Sequence, residues 1–565
     1  HEIPLEHWMN RDDGIITLSH AKNLVEYGFV GVSPSGERVE GFSSPLQFVV
    51  FAVVYAATHV GYASFIAAQT TFGWLAVGAL SYAILWQVTR HRVLSMIGSV
   101  SVALLLSRLP TFVEWSGSGL ENPLTHASYL LVFVAILHLA DHERPALRWA
   151  PLFVVAAFAR FESIVHVAPL VVVFAVAHAK RYRNLHAVRL LGAFGVGWLA
   201  LFLFRAWYFH DLVPNTAHAQ GIAPAVAAAR ALGGDMSRAT AEHAFAAVRS
   251  NGGQLLLLAI PAVAFTRMRA QLRELVLFGS LVMLVVCAHM IVFGEARLDP
   301  PRTTTFLAPI SALMLVGALL QLPMPSWACA ILPAFLTLAP AAPMTTYGEP
   351  YVLCCQARDF ETFHELATKL RTRHRLPRPL LASPDLGAVS FAKEFNMLDL
   401  GLLGSTLFAH TIDTRVRAEI VLRVLRPDIV SINGSWQDFY RYLLSDPRFS
   451  AQYQPEDGAW TRKDVKLGAD TRERRLIDEL APQPTPAPIE KAIGDCNASS
   501  ESDPCLYVVR AAYRFRPDFS RAQRGQVRQH LAAIHDAAQR ALALAIFDGP
   551  DGARVDLAMN TFLGR

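Results

Sequence analysis

Charge is what this sequence has least of. Only 17% of its 565 residues are Asp, Glu, Lys or Arg, where an ordinary soluble enzyme carries roughly 25%. The deficit is concentrated between Ser44 and about Thr346 and excludes a wholly soluble fold. Cysteine is scarce as well: the six present form no zinc-ligand spacing, which removes a structural zinc site from consideration. The net charge of +5 is modest and no basic stripe interleaved with aromatics is present, so nucleic acid is not an expected partner. Internal repeats are lacking too. The chain starts at His1, not Met, and shows no signal peptide; an N-terminal helix is expected to have been removed or to precede it.

What fills the chain instead is apolar. Hydrophobic residues make up 53% and the mean hydropathy is +0.31. Apolar runs bounded by charges predict helices over 65–88, 92–107, 123–141, 147–160, 163–179, 187–209, 253–266, 274–293, 303–322 and 325–345. The run 45–60 is shorter than the roughly 20 residues a perpendicular span requires, and reads as a helix lying in one leaflet. The fold class that follows is a polytopic α-helical membrane protein with about ten or eleven transmembrane helices and a C-terminal α/β domain. Residues 1–347 form the membrane domain, with 1–44 as its first outer loop and Ala-rich 217–251 as surface helices over the outer mouth. Residues 348–480 form the α/β domain, with strands expected at 380–383, 397–400 and 428–432 and helices at 361–373 and 413–425. Residues 481–565 add a stiff Pro-rich linker at 481–488 and a late helix at 520–546. Cys287 and Cys329 read as small core residues. Cys354-Cys355 lie in the soluble part, and Cys496 and Cys505 suit a disulfide if that part is exported.

Loop charges orient the bundle. Arg90-His91-Arg92, Asp141-His142-Glu143-Arg144 with Arg148, Lys180-Arg181-Tyr182-Arg183, and Arg267, Arg269 and Arg273 mark the cytoplasmic side. The opposite loops hold Asp12-Asp13, Glu121, Arg160, Glu162, Asp211, Asn215 and Arg302. Every conspicuous polar cluster therefore falls on the outer side, and alternation places the C-terminal domain there as well. Ionisable groups beside an apolar bundle are costly unless they face a polar cavity, which makes them functional suspects.

Several of these clusters resemble motifs of bacterial GT-C membrane glycosyltransferases, nearest the mycobacterial terminal arabinofuranosyltransferase branch. They are Asp12-Asp13-Gly14-Ile15-Ile16-Thr17 with Ala21-Lys22-Asn23-Leu24, Gly36-Glu37-Arg38-Val39-Glu40-Gly41 and Ser44-Pro45-Leu46; Ser118-Gly119-Leu120-Glu121-Asn122-Pro123-Leu124; Ala159-Arg160-Phe161-Glu162; His210-Asp211-Leu212-Val213-Pro214-Asn215-Thr216; and Ala382-Ser383-Pro384-Asp385-Leu386-Gly387-Ala388 followed by Leu398-Asp399. Phe161 replaces the family's Pro, and Leu18-Ser19-His20 stands where an Arg is common. The resemblance implies transfer of a sugar, arabinofuranose in this branch, from a polyprenyl-phosphate donor to a cell-envelope glycan, lipid or protein. The site would face the periplasm from the bacterial inner membrane, among membrane lipids.

The residue types suit that chemistry. Asp12, with Asp13 beside it, can take the proton of the attacking hydroxyl and favour positive charge at the anomeric carbon. The pair can instead hold a divalent cation, or Asp13 can cap a helix starting near Gly14; a reaction without cofactor is the favoured reading. Arg160 and Arg302 are the donor-phosphate candidates, because a guanidinium matches phosphate oxygens. Their structural alternatives are pairs with Glu162 and Asp299. Glu40, Glu121, Glu162, Asn215 and His166 are the substrate-binding candidates, with loop geometry or a satisfied core histidine as the plainer roles. Trp115 reads as a sugar platform or an interfacial anchor. Outside this branch, other GT-C transferases (mannosyl or aminoarabinose type, on protein or lipid A) remain alternatives, as do, in other classes, a lipid-linked-sugar flippase and an inactive sugar-binding subunit. A flippase would show broken helices in corresponding halves.

Overall fold

In the computed structural model the described residues are 12–34, 38–143, 147–219, 270–293, 302–322 and most of 379–563, with scattered positions between 325 and 373. The expected helices at 253–266, nearly all of 325–345 and 361–373, the 217–251 surface helices beyond 219, and Cys354-Cys355 lie outside them. The chain divides into two units: His1–Gly14, Ser43–Arg205 and Gln220–Gln356 form the first, and Ile15–Phe42, Ala206–Ala219 and Ala357–Arg565 the second.

The first unit is an apolar helical bundle. Its helices, with α1 and α10 numbered in chain order, are α2 (Pro45–Thr58), α3 (Tyr62–Thr89), α4 (Arg92–Ser107), α5 (Pro110–Gly117), α6 (Asn122–Ala140), α7 (Ala150–Ala157), α8 (Ser163–Tyr182), α9 (His186–Tyr208), α11 (Ala270–Phe293) and α12 (Leu307–Leu319). Local chemistry sets their ends. Ser44 caps α2 by accepting from the Gln47 N–H, and Pro45 occupies its first turn, where a missing N–H costs nothing. α3 stops at Arg90, which takes a left-handed conformation and returns its N–H to Trp86 O. Among the described residues six helices are long and apolar enough to cross a membrane, or seven if α4 and α5, bent by 87°, make one broken span. α6 and α12 are buried on nearly every side, as expected of helices apolar all round. Tyr129, Phe133, Phe153, Phe278, Phe306 and Leu313 form part of their shared core. Gly73 lets α3 approach Pro123 so closely that a Cβ would collide.

The second unit contains α1 (Asp12–Tyr27) from Ile15 onward, α10 (Asn215–Ala219) and a five-stranded sheet of order β2-β1-β3-β5-β4. β1 (Leu380–Ser383) pairs in parallel with β2 (Asn396–Asp399) and β3 (Ile429–Val430). The hairpin of β4 (Tyr453–Glu456) and β5 (Ala459–Arg462) adds antiparallel to β3. The first three strands fall where the sequence puts them; the hairpin was not anticipated. Helices Arg472–Leu480, Pro486–Asn497, Leu506–Phe515, Arg521–Ala532 and Ala537–Asp548 bury residues in the same core as the sheet. The late helix expected over 520–546 is two helices, and the stiff linker gives way to helix at Pro486. Cys496 and Cys505 are disulfide-bonded.

Candidate active site

Three helices of the first unit begin at one end of the bundle. α6 starts behind Glu121, α8 behind Glu162, and α12 follows a 3₁₀ turn, Arg302–Thr304. Such ends carry unsatisfied N–H groups and partial positive charge, so carboxylates placed there are favoured. Asn122 ties two of them together: its Nδ2 donates to Arg302 O and to Thr305 Oγ1, each at 2.8 Å.

The loop before α6 is clamped by its main chain. Gln47 Nε2 donates to Gly119 O at 2.8 Å, Gln69 Nε2 to Leu120 O at 2.7 Å and Thr70 Oγ1 to Ser116 O at 3.0 Å. Gly119 has φ +86°, and a side chain there would strike Ile66. The first turn of α1 lies against this loop: a Cβ on Gly14 would stand 2.7 Å from Gly119 C and 2.9 Å from Ser118 O. That approach positions the acidic pair. α1 begins at Asp12, so Asp13 lies inside the first turn rather than capping it. Asp12 is buried, whereas the Asp13 side chain is 50% exposed and accepts from Arg302 Nη1 at 3.3 Å. The 158–162 turn is pinned as well, by Phe161 N–H to Ser43 O at 2.7 Å and Leu46 N–H to Phe158 O at 2.9 Å.

Arg160 sits between two carboxylates, with Nη1 on Glu121 and Nε on Glu162. Burial works against the charged forms of both Arg160 and Glu162. It lowers the Arg160 guanidinium from its ordinary value, but the Arg160 charge still holds the Glu162 carboxyl below its own. The sequence reading allowed an Arg160–Glu162 pair; Glu121, distant in the chain, is its third member.

The sequence reading missed several groups. Arg205, buried in α9, stacks its guanidinium 4.9 Å from the Phe161 ring centroid. A lone cation inside the apolar run Leu199–Tyr208 was the available signal. Tyr129 Oη and His166 Nδ1 are 3.0 Å apart, and His166 Nε2 and His289 Nδ1 also 3.0 Å. His166 is thus a satisfied buried histidine in a three-member chain, and His126 likewise bonds Thr305 Oγ1 at 2.9 Å. Trp115 is fully buried, so it is neither a sugar platform nor an interfacial anchor.

Glu40 and Asn215 belong to the second unit. The Asn215 N–H donates to Glu40 O at 3.0 Å and its Nδ2 to Leu403 O at 3.1 Å. Asn215 thereby braces the loop in which Asp399 accepts from the N–H groups of Gly401, Leu403 and Gly404. Burial nevertheless pushes the Asp399 carboxyl up to about 7. His20 is a structural pivot: Nδ1 donates to Ile16 O at 2.8 Å and Nε2 accepts from the Gly41 N–H at 3.3 Å. Burial lowers it to about 3, so it is neutral. Ser19 accepts from Lys393 Nζ at 2.8 Å and from Ser390 Oγ at 2.7 Å. Among the described residues no cluster of three or more His, Cys, Asp or Glu is placed to hold a metal ion.

No protein-family profile matches the chain, and no curated protein does. Among solved structures it is similar to ArnT from Cupriavidus metallidurans in the apo state, at 13% identity and TM-score 0.45, covering 82% of this chain and 96% of that one. It is also similar to ArnT from the same organism bound to undecaprenyl phosphate, at 14% identity and TM-score 0.38, covering 75% and 77%. Both likenesses are loose.

Proposed function

We propose that this chain is a membrane glycosyltransferase of the GT-C kind, multi-pass in a bacterial inner membrane. It moves a sugar, arabinofuranose on this reading, from a polyprenyl-phosphate donor to an acceptor on the periplasmic face. The observation that carries the reading is a polar cluster at one end of the apolar bundle: an exposed Asp13 carboxylate held by Arg302, beside Arg160 buried between Glu121 and Glu162.

The reaction needs a base for the acceptor hydroxyl and cations for the leaving phosphate. The acceptor oxygen attacks the anomeric carbon and its proton passes to a carboxylate. The bond to the phosphate oxygen breaks, and the lipid phosphate leaves with the electron pair. Exposure supports Asp13 as the base, with Asp12 its buried neighbour, the reverse of their order in the sequence reading. Arg302 presents the planar donors that suit phosphate. On donor binding it exchanges Asp13 for the phosphate, which leaves the carboxylate free to act. Arg160 adds positive charge to the same region, and Glu121 and Glu162 hold it and orient sugar hydroxyls. The acceptor is a cell-envelope glycan, lipid or protein. No metal ion is used in this scheme.

The test is transfer by the purified protein from a synthetic polyprenyl-phosphate arabinofuranose to a panel of oligosaccharides. Asp13→Asn, Asp12→Asn and an EDTA-treated sample run alongside. Transfer that survives EDTA and is lost in Asp13→Asn supports the scheme. Loss on EDTA treatment, restored by a divalent cation, overturns the metal-free step. A folded wild type that transfers mannose or aminoarabinose instead keeps the enzyme class and rejects the sugar, whereas one inert to every lipid-linked sugar rejects the class.

A further inference from the structure

Between α3 and α4 lies a cleft of about 410 Å³ lined by Tyr82, Arg92, Val93, Met96, Ser99 and Val100. Val93, Met96 and Val100 recur at helical spacing and are 54%, 58% and 55% exposed. Exposed apolar side chains along helices of a membrane bundle face acyl chains. Ser99 adds no polarity, because its hydroxyl is used in donating to Gly78 O at 2.7 Å.

The polar groups gather at one end of this cleft. Arg92 opens α4 and is exposed. Its guanidinium rests 5.8 Å from the Trp86 ring centroid and makes no ion pair or hydrogen bond with any described residue. Its neighbours at the same end of the bundle differ. Arg90 pairs with Asp141 at 3.3 Å, and Arg181 pairs with Glu274 at 3.0 Å. Arg92 therefore has an aromatic seat without a carboxylate among the described residues. Trp86 and Tyr82 lie on successive turns of α3 next to it, in the manner of aromatic residues at headgroup level.

We propose that this cleft holds one anionic phospholipid, with its headgroup against Arg92 and an acyl chain along Val93, Met96 and Val100. Charge complementarity selects the occupant. An unpaired guanidinium at the mouth of an apolar slot suits a lipid of net negative charge, and a zwitterionic lipid brings its own ammonium to compete. The site is at the opposite end of the bundle from Asp13 and Arg302 and does not depend on the reaction assigned to them.

The full chain in detergent is titrated with phosphatidylglycerol or phosphatidylcholine, and bound lipid is counted by native mass spectrometry. One saturable phosphatidylglycerol, bound about fivefold tighter than phosphatidylcholine, is the expected result for one cation meeting an anionic headgroup. Arg92→Glu removes the preference, Arg92→Lys retains part of it, and Val100→Trp weakens both lipids by filling the slot. Arg189→Glu, at an exposed arginine on α9, leaves the preference intact. Equal affinity of the wild type for the two lipids overturns the proposal. So does an unchanged preference in Arg92→Glu, or an equal loss in Arg189→Glu, which would mean diffuse attraction only. A chain that dimerises through this face and excludes lipid assigns the surface to a second copy and overturns it too.

Discussion

At one end of the first unit Arg90, Asp141, Arg181 and Glu274 meet at 3.0–4.0 Å with side chains 20–52% exposed. At the other end Arg160 is enclosed by Glu121 and Glu162 with side chains 2–17% exposed. The residue types are the same and the energetics are not. Exposed pairs in high dielectric contribute about 0–1 kcal/mol each. A buried pair costs several kcal/mol per ion to desolvate and regains that only if every partner stays in place. The first end reads as a solvated rim. The second is a set of charges retained at a cost, which is what a working site looks like in an apolar protein.

Breaking the enclosed end should have the largest effect. Arg160→Ala leaves two buried carboxylates facing one another; thermal unfolding in detergent should show a loss of about 3–5 kcal/mol, with transfer abolished. Asp13→Asn separates chemistry from stability. Because Asp13 is half exposed, its melting curve should overlay the wild type while the rate of transfer falls about 10²–10⁴-fold. Gly14→Val tests the close approach that positions this carboxylate. The new side chain meets the Gly119 backbone, and overpacking of that kind costs about 1–3 kcal/mol.

Acid should distinguish the ends more gently. Glu162 is held below its ordinary value of 4.5 in the folded state. The unfolded chain therefore binds its proton more readily. The stability due to the pair is full above about pH 4.5 and is lost as pH falls through the lower folded value. Glu162→Gln should flatten that part of the stability–pH profile. Asp399 acts with the opposite sign: its carboxyl stands at about 7 against an ordinary 3.8, so stability from this group declines as pH rises between those values, and Asp399→Asn should remove the decline. The smallest effect belongs to the rim, where Arg181→Ala should change the unfolding free energy by no more than about 1 kcal/mol.

Much of the frame was legible because charge is rare here. A proline or a cluster of charges interrupts each apolar run, and α3, α4, α6, α8 and α9 begin and end close to those interruptions. The same contrast made Arg160, Glu162, Glu121 and Arg302 visible one at a time. Apart from the Arg160–Glu162 pair, which of them meet was not visible. That Arg160 reaches Glu121 and Arg302 reaches Asp13 depends on α6, α8 and α12 starting at one end, a fact of packing and not of pattern. Arg205 and His289 were overlooked because each is the lone basic group in the long apolar stretch of its helix, where hydropathy averages it away. The β4–β5 hairpin escaped because four-residue strands around Gly458 show too little alternation to register.

The clamp on the loop before α6 grips backbone carbonyls, those of Ser116, Gly119 and Leu120, and only one of those positions depends on its own side chain for shape. Form and chemistry are thereby inherited separately. α2 and α3 carry the form through Gln47, Gln69 and Thr70, while Glu121 at the end of the loop is held separately, by its pair with Arg160. Loss of either glutamine would therefore loosen the loop without touching the charge that Glu121 contributes. Relatives that keep this loop would then be expected to agree at the two glutamines, at Gly119 and at Glu121.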